Sequence, residues 1–256
     1  MNRPNGLDLF AEHFAGFTDQ YVLIGGMANF LVMEENALDA RATKDVDIVL
    51  LAEALTPEFG QAFWNFVERG GYEVRQRGED KACFYRFSHP TDPAFPKMLE
   101  LFSRVPDNMA FTYPGTVTPI PFDESVTSLS ALLLDDDYYR LLHAGLKREG
   151  NLSWINETVL IPFKAKAWLD LRERQQKGEG IDSNNVKKHF NDVLRLSQVL
   201  PASSQIPLPE SILADMRAFL EIASREPDPT PNLFGKQGPR LAQILDDLRG
   251  IFISNA

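Results

Sequence analysis

The stretch from Gly25 to Leu50, GGMANFLVMEENALDARATKDVDIVL, constrains the fold of this chain more than any other. It follows a short apolar segment, residues 21–24, which has the length and composition of a buried strand. After a turn at the two glycines, apolar residues recur at helical spacing from Met27 to about residue 36. A second strand is predicted over residues 44–51, because the pattern alternates at first and is continuously apolar at its end. The predicted order is therefore strand, glycine turn, helix and central strand.

Asp45 and Asp47 place two like charges in that second strand. Residues two apart on a strand project from the same face, about 7 Å apart at the backbone. Two ionised carboxylates on one face repel each other, and burying them uncompensated is costly. A divalent cation such as Mg²⁺ removes that cost, because it takes oxygen ligands and completes its shell with water and substrate phosphate. An exposed strand end with two solvated acids is the alternative, and the D-x-D pattern alone leaves both interpretations open.

The Gly25–Gly26 pair lies where the first strand meets the helix. Backbone N–H groups at a helix N-terminus point outward and the helix dipole favours an anion, so this arrangement predicts a phosphate site. A simple tight turn explains the two glycines equally well. No Gly-Lys-Ser/Thr follows the pair and G-x-G-x-x-G is absent, which argues against a Walker loop and a dinucleotide-binding fingerprint.

The remainder of the chain predicts two regions of different character. Helices and short strands alternate in the first, and the aromatic residues of the segment around Trp64 have the helical spacing typical of a core. The second is mainly helical. We therefore predict an α+β fold in which a small mixed β-sheet carrying helices, residues 1–125, precedes a mainly α-helical region, residues 126–256. Beyond the segments above, helices are predicted over residues 7–14, 57–69, 135–148, 163–176, 186–200, 209–224 and 238–251, and strands over 72–76, 82–87, 97–102 and 129–134.

Composition narrows the class of protein. The formal net charge of −10 makes the chain a poor non-specific binder of nucleic acid, so any such contact must be local. The single cysteine, Cys83, excludes an internal disulfide framework and fits a reducing compartment. No apolar run approaches the ~20 residues that cross a bilayer. We expect a cytoplasmic protein with no membrane contact.

The first strand, the glycine pair, the helix and the segment R-A-T-K-D-V-D-I together resemble the nucleotidyltransferase superfamily, whose palm domain is like that of DNA polymerase β. The resemblance implies that residues 1–125 form such a palm and that the helical region, residues 126–256, contributes to the active-site cleft. It also implies that Gly25 and Gly26 receive nucleotide phosphates and that Asp45 and Asp47 bind Mg²⁺.

Three more residues acquire roles from the same resemblance. Arg41 and Thr43 match the pattern R-x-[ST]-x-D-x-D and are candidates for nucleotide binding, although a surface arginine and a loop hydroxyl fit as well. Glu100, a single charge in the apolar segment KMLELFS, is the candidate for a third metal ligand. A lone acid facing solvent on an edge strand is the alternative, and many relatives have Asp there.

The second half contains FKAKAWLDLRERQ and NNVKKHFNDVLRL, which look like the paired motifs of the AbiEii/AbiGii toxin group. That group combines K-x-x-A on one helix with K-x-x-x-D on the next. Lys164 and Ala167 match the first motif, and Lys188 and Asp192 match the second. The resemblance implies a catalytic role for Lys164, as a charge that meets phosphate oxygens, and for Asp192, which orients that lysine or accepts a proton. A solvated lysine and a surface ion pair are the alternatives.

Two neighbouring residues complicate this match. Lys166 is a second candidate for the nucleotide-binding lysine, beside Lys188. His189 stands where many relatives have Asp, so the second motif is only partly matched.

The resemblance covers about residues 20–200 and implies an enzyme that needs Mg²⁺ as its cofactor. Such an enzyme would transfer a nucleoside monophosphate from an NTP to an acceptor hydroxyl, as the toxin of a toxin–antitoxin or phage-defence pair. RNA or tRNA is the implied acceptor and a cognate antitoxin the implied partner, while the acidity of the chain keeps a small-molecule or protein acceptor open. The alternative is a catalytically weak nucleotide-binding or partner-binding protein that keeps the same fold.

Overall fold

A computed structural model describes residues 3–51, 53–77, 83–103, 118–119, 133, 135–229, 231–234 and 238–253. The chain divides into two compact units. The first comprises Met1–Phe122 and Leu146–Asn156, and the second comprises Asp123–Gly145 and Glu157–Ala256. No helix among the described residues combines the length and the apolar character that crossing a membrane requires.

The first unit is built on a mixed β-sheet, which confirms the predicted α+β class. Its strands lie in the order β6-β3-β4-β5-β2-β1-β8-β7. Strand β2 is antiparallel to β1 and parallel to β5, so it occupies a central position as predicted. The helices of this unit are α1 (Leu7–His13), α2 (Gly25–Glu35) and α3 (Pro57–Gly70). Its strands are β1 (Tyr21–Ile24), β2 (Asp45–Leu50), β3 (Glu73–Arg77), β4 (Cys83–Ser88), β5 (Met98–Ser103), β6 (Thr118–Pro119), β7 (Leu146–Glu149) and β8 (Leu152–Ile155).

Aromatic side chains form the core of this unit. Phe63 and Phe66 on α3 are fully buried, as their helical spacing predicted. The Thr56 side chain accepts from the Phe59 N–H and so caps α3, while Gly71, at φ +62°, ends it in the left-handed region. The α3 side of the sheet is thus filled by apolar packing.

A β-hairpin near residue 150 corrects one prediction. The helix predicted over 135–148 ends at Ala144, and the next residues form β7 and β8. Gly150, at φ +55°, lies in a two-residue turn between Glu149 and Leu152, which are paired across the hairpin. Because β8 then pairs with β1, this hairpin belongs to the first unit although it follows the boundary predicted at residue 125.

The second unit is helical and packs its own core. The ring of Trp168 lies 5.3 Å from that of Phe190 and 5.3 Å from that of Phe219, so three helices meet at one aromatic cluster. The helices are α4 (Asp136–Ala144), α5 (Glu157–Gln176), α6 (Ser183–Leu196), α7 (Glu210–Ala223), α8 (Pro231–Phe234) and α9 (Leu241–Phe252).

Two further predictions about the second half differ from the structure, and a third lies almost entirely outside the described residues. The helix predicted over 163–176 begins earlier, at Glu157, so Pro162 lies inside α5, where it removes one backbone hydrogen bond while buried neighbours keep the helix packed. Between the helices predicted over 209–224 and 238–251, the structure contains the short helix α8. The strand predicted over 129–134 lies outside the described residues except for position 133, which is helical.

Candidate nucleotide-binding site

The glycine turn and Asp47 are in direct contact. Ile24 on β1 is paired with Asp47 on β2, so the residue that follows Ile24 reaches the carboxylate. Gly25 has φ +64°, and a Cβ built on it would lie 1.7 Å from Asp47 Oδ2. The Gly26 N–H donates to the same oxygen at 3.4 Å. Position 25 therefore requires glycine both for its backbone conformation and for this close approach.

The loop before the two acids returns to the second glycine. A Cβ on Gly26 would lie 2.6 Å from Thr43 Oγ1 and 3.4 Å from Arg41 Nη2. The Thr43 hydroxyl donates to the Asp45 carbonyl at 3.4 Å, which links the loop to the start of β2. Arg41, Thr43 and Asp47 of the R-A-T-K-D-V-D motif are thereby gathered around the first turn of α2.

The first turn of α2 has the features of an anion site. Its N-cap, Ile24, has no polar side chain to cap the helix, and no acidic residue lies in that turn. The positive end of an 11-residue helix attracts negative charge, and the Asp47 carboxylate already accepts from the Gly26 N–H there. The guanidinium of Arg41 adds a cation beside the same backbone. This arrangement fits phosphate oxygens.

Glu100 lies beside Asp47 but is bound by an arginine. Parallel pairing of β2 with β5 aligns Asp47 with Glu100, and antiparallel pairing of β5 with β4 aligns Glu100 with Arg86. Arg86 Nε and Nη2 lie 2.8 and 2.6 Å from Glu100 Oε1. Burial, followed by the charge of Asp47, raises the pKa of Glu100 to about 8, while Arg86 opposes the rise. The predicted third acid thus sits between a like charge and an opposite charge.

Sequence reasoning missed Arg86. A signal for it exists in KACFYRF, where one charge interrupts an aromatic strand segment, just as Glu100 interrupts an apolar one. Two lone charges of opposite sign on neighbouring strands are expected to pair. The register between the strands was needed to recognise that these two do.

The acids fit a magnesium ion as a pair. Among the described residues, no group of three or more His, Cys, Asp or Glu side chains is arranged to hold a metal ion. Mg²⁺ is commonly held by one or two carboxylates together with water and substrate phosphates, so two acids suffice. Asp45 and Asp47 project from one face of β2, and the phosphate-compatible turn adjoins Asp47. The chemistry of this donor set therefore suits Mg²⁺ held jointly with a nucleotide, and the role of Glu100 as a third ligand remains a prediction.

In the second unit, the structure joins the two residues for which the toxin-group motifs imply catalysis. Lys164 on α5 and Asp192 on α6 are 4% and 0% exposed. Lys164 Nζ lies 3.1 Å from Asp192 Oδ2, and Arg195 lies 4.0 Å from the other carboxylate oxygen. The pair is therefore a buried contact between α5 and α6. This burial contradicts the alternatives of a solvated lysine and a surface ion pair.

The other two lysines have different surroundings. Lys166 Nζ lies 3.0 Å from Asp215 and 3.5 Å from Asp170, and Tyr138 donates to Asp215 at 3.0 Å. Lys166 is thus held by two carboxylates of its own unit. Lys188 is half-buried one turn before Asp192 on α6. The nucleotide-binding roles predicted for both lysines remain predictions.

Comparisons with known proteins yield distant structural neighbours only. No protein-family profile matches the chain, and no curated protein matches its sequence. An antigenic nucleotidyltransferase-like protein from Paracoccidioides brasiliensis is similar at a TM-score of 0.42 and 14% identity, covering 96% of this chain and 95% of that one. A cytoplasmic RNA terminal U-transferase has a TM-score of 0.30 at 11% identity, and Cid1 bound to the UTP analogue UMPNPP has 0.29 at 11%. The alignments cover 94% of this chain in both cases, but only 60% and 63% of those proteins.

Proposed function

We propose that this protein is a nucleotidyltransferase, which transfers a nucleoside monophosphate from an NTP to an acceptor hydroxyl. The observation that carries the proposal is the contact between the Gly25–Gly26 turn and Asp47. A helix N-terminus suited to an anion and an acid suited to a metal ion are there joined by one hydrogen bond. A triphosphate bound together with its cation needs these two groups side by side.

Different residues of the first unit bind the phosphates, hold the metal ion and accept the proton. The N–H groups at the start of α2, together with Arg41, bind the phosphate oxygens of the NTP and hold its leaving end at the glycine turn. Asp45 and Asp47 would hold Mg²⁺, which when bound neutralises phosphate charge and lowers the pKa of a coordinated hydroxyl. Asp45 accepts the proton of the acceptor hydroxyl as the new ester bond forms at the α-phosphorus and pyrophosphate leaves.

The implied toxin role and an RNA acceptor, including tRNA, belong to this proposal through the AbiEii/AbiGii resemblance. The paired motifs that support it, around Lys164 and Asp192, form one buried contact of the second unit. Under this proposal a cognate antitoxin neutralises the activity. Co-expression of an adjacent small open reading frame that restores growth would support that part.

Label position distinguishes nucleotidyl transfer from phosphoryl transfer. The protein is incubated with Mg²⁺, total RNA and each of the four NTPs, labelled with ³²P at either the α- or the γ-phosphate. Nucleotidyl transfer moves the α-label to RNA and releases the γ-label as pyrophosphate. Absence of α-label from every RNA fraction, and from small-molecule and protein acceptors, would overturn the proposal.

A catalytically weak nucleotide-binding protein is the second candidate. It is favoured by the ion pair between Glu100 and Arg86, because a third acid bound by arginine is less available to a metal ion. Calorimetry with NTP and Mg²⁺ separates the candidates when wild type is compared with Asp47→Ala. Binding that persists in the variant, with turnover in neither protein, would favour this second candidate.

A further inference from the structure

An open cavity of about 580 Å³ lies beside the predicted metal-binding acids. It is lined by Asp45 on β2, by Met98 on β5 and by Arg86 and Ser88 on β4. Strand register explains why these residues meet: Asp45 is paired with Met98, and Met98 with Ser88. The cavity therefore continues the row of side chains that begins at Asp45 and runs away from β1.

The strand order puts this cavity on the side of the acids opposite the glycine turn. The turn follows β1, whereas β5 and β4 lie on the other side of β2. In an in-line displacement, the attacking hydroxyl enters opposite the leaving group. If the leaving phosphates bind at Gly25–Gly26, the attacking hydroxyl enters over β5, where the cavity lies. Asp45, which lines the cavity, is then an acid within the space that the hydroxyl enters.

The lining of the cavity suits a nucleotide. Lys44 and Lys97 are exposed at its edge, and among the described residues neither forms an ion pair. Met98, Pro90 and Pro93 provide apolar surface for a sugar or a base. Two lysines on a chain of net charge −10 form the kind of local cationic contact that a phosphate requires.

We propose that this cavity is the acceptor subsite, and that its acceptor is a hydroxyl compound carrying a phosphodiester or phosphomonoester, as an RNA 3′ end or a free nucleotide does. This inference rests on the proposed function. Lys44 and Lys97 bind the phosphate of the acceptor, the apolar wall contacts its terminal nucleoside, and the hydroxyl points to Asp45. A neutral small-molecule acceptor would not use the two lysines.

Direct binding tests this subsite without requiring turnover. A short single-stranded RNA with a 5′ fluorophore and a free 3′-hydroxyl is titrated with wild type, Lys44→Ala, Lys97→Ala and the double variant, and fluorescence anisotropy is recorded at several salt concentrations. Lys187→Ala, an exposed lysine of the second unit, is the matched control. Each cavity lysine removed is expected to reduce the slope of log K against log salt by about one. The double variant is expected to lose about tenfold or more in affinity at low salt, and the control none.

Competition identifies the source of the phosphate. Displacement of the RNA by a nucleoside monophosphate indicates that a single terminal nucleotide fills the cavity, and failure to displace it indicates a longer stretch of RNA; both outcomes support the subsite if the lysine variants are weakened. Equal affinity in wild type and the double variant, or absence of RNA and nucleotide binding in wild type, would overturn it. If NTP binding and α-label transfer fail in wild type while lysine-dependent RNA binding persists, the proposed function fails separately from the anionic subsite.

Discussion

Gly25 and Asp47 lie so close that no side chain fits between them: a Cβ on Gly25 would lie 1.7 Å from Asp47 Oδ2. Gly25 also has φ +64°, a region that disfavours other residues. The end of β1 and the face of β2 are thereby fixed against each other. This contact joins the turn that we propose for phosphate to the acid that we propose for the metal ion, and it makes position 25 the most restrictive of the proposed site.

Replacing Gly25 by alanine is expected to destabilise the protein by more than its backbone conformation alone explains. The left-handed conformation costs a non-glycine residue about 1–2 kcal/mol. Displacing the Asp47 carboxylate adds an overpacking cost of about 1–3 kcal/mol. The free energy of unfolding, measured by urea denaturation, reports the sum.

Gly150→Ala is the matched control for that variant. Gly150 has φ +55°, but no atom of the described residues lies within 4 Å of a Cβ built on it. It therefore incurs only the conformational cost. Equal losses in the two variants would show that the contact with Asp47 adds nothing.

Removing one partner of the buried pair Lys164–Asp192 is expected to destabilise the protein more than removing both. Lys164→Met leaves the Asp192 carboxylate buried without its nearest cation, which is expected to cost about 3–5 kcal/mol. The double variant Lys164→Met/Asp192→Leu removes both charges and is expected to regain much of that stability. Urea denaturation of the two single variants and the double variant gives the coupling between them.

An exposed lysine–acid pair at the C-terminal end of α5 provides the comparison. Lys177 Nζ lies 2.6 Å from Glu173 Oε1, but the two side chains are 61% and 63% exposed. Lys177→Met is expected to change the stability much less than Lys164→Met. A similar change in both would mean that burial of the Lys164–Asp192 pair has no energetic consequence.

Glu100 predicts a dependence of stability on pH. Its pKa is raised from 4.5 to about 8, chiefly by burial, so between these values the folded state binds more protons than the unfolded state. Its contribution is therefore greatest below the unfolded value and is lost as pH rises towards 8. Glu100→Gln is expected to flatten that loss in the metal-free protein.

Thermal unfolding of wild type and Glu100→Gln at a series of pH values measures the difference. Glu68→Gln, an exposed glutamate on α3, serves as the control and is expected to follow wild type. If wild type and Glu100→Gln show parallel curves throughout, Glu100 does not take up a proton on folding.

Local sequence patterns predicted much of the fold because short-range chemistry determines it. Strand β1 has the bounds expected. Helix α3 begins at the predicted residue 57, next to its Thr56 cap, and ends at Gly70, one residue beyond the predicted end. Helix α2 begins two residues earlier than predicted, because Gly25 and Gly26 belong to its first turn. The hairpin near Gly150 was missed, although the dipeptide Gly150–Asn151 between two short alternating segments is a turn signal.

The site was only partly predictable, for a different reason. The motif around Asp45 and Asp47 identified the residues near the glycine turn, because they are close in sequence. The pairing of Glu100 with Arg86 depends on the register between β5 and β4, which no local pattern encodes. The same holds for the cavity lined by Lys44 and Lys97, whose walls come from three strands and the loop after β4.

Nucleotide binding by variants of Gly25 and Asp47 is the most direct test of whether the glycine turn and Asp47 form one nucleotide site. Isothermal titration calorimetry with a non-hydrolysable NTP, with and without Mg²⁺, is performed on wild type, Gly25→Ala, Asp47→Asn and Gly150→Ala. We expect Mg²⁺-dependent binding in wild type and Gly150→Ala. Gly25→Ala and Asp47→Asn are expected to lose about tenfold or more in affinity, at least ~1.4 kcal/mol. Equal affinity in all four folded proteins, or binding indifferent to Mg²⁺, would contradict the claim that the turn and Asp47 form one nucleotide site.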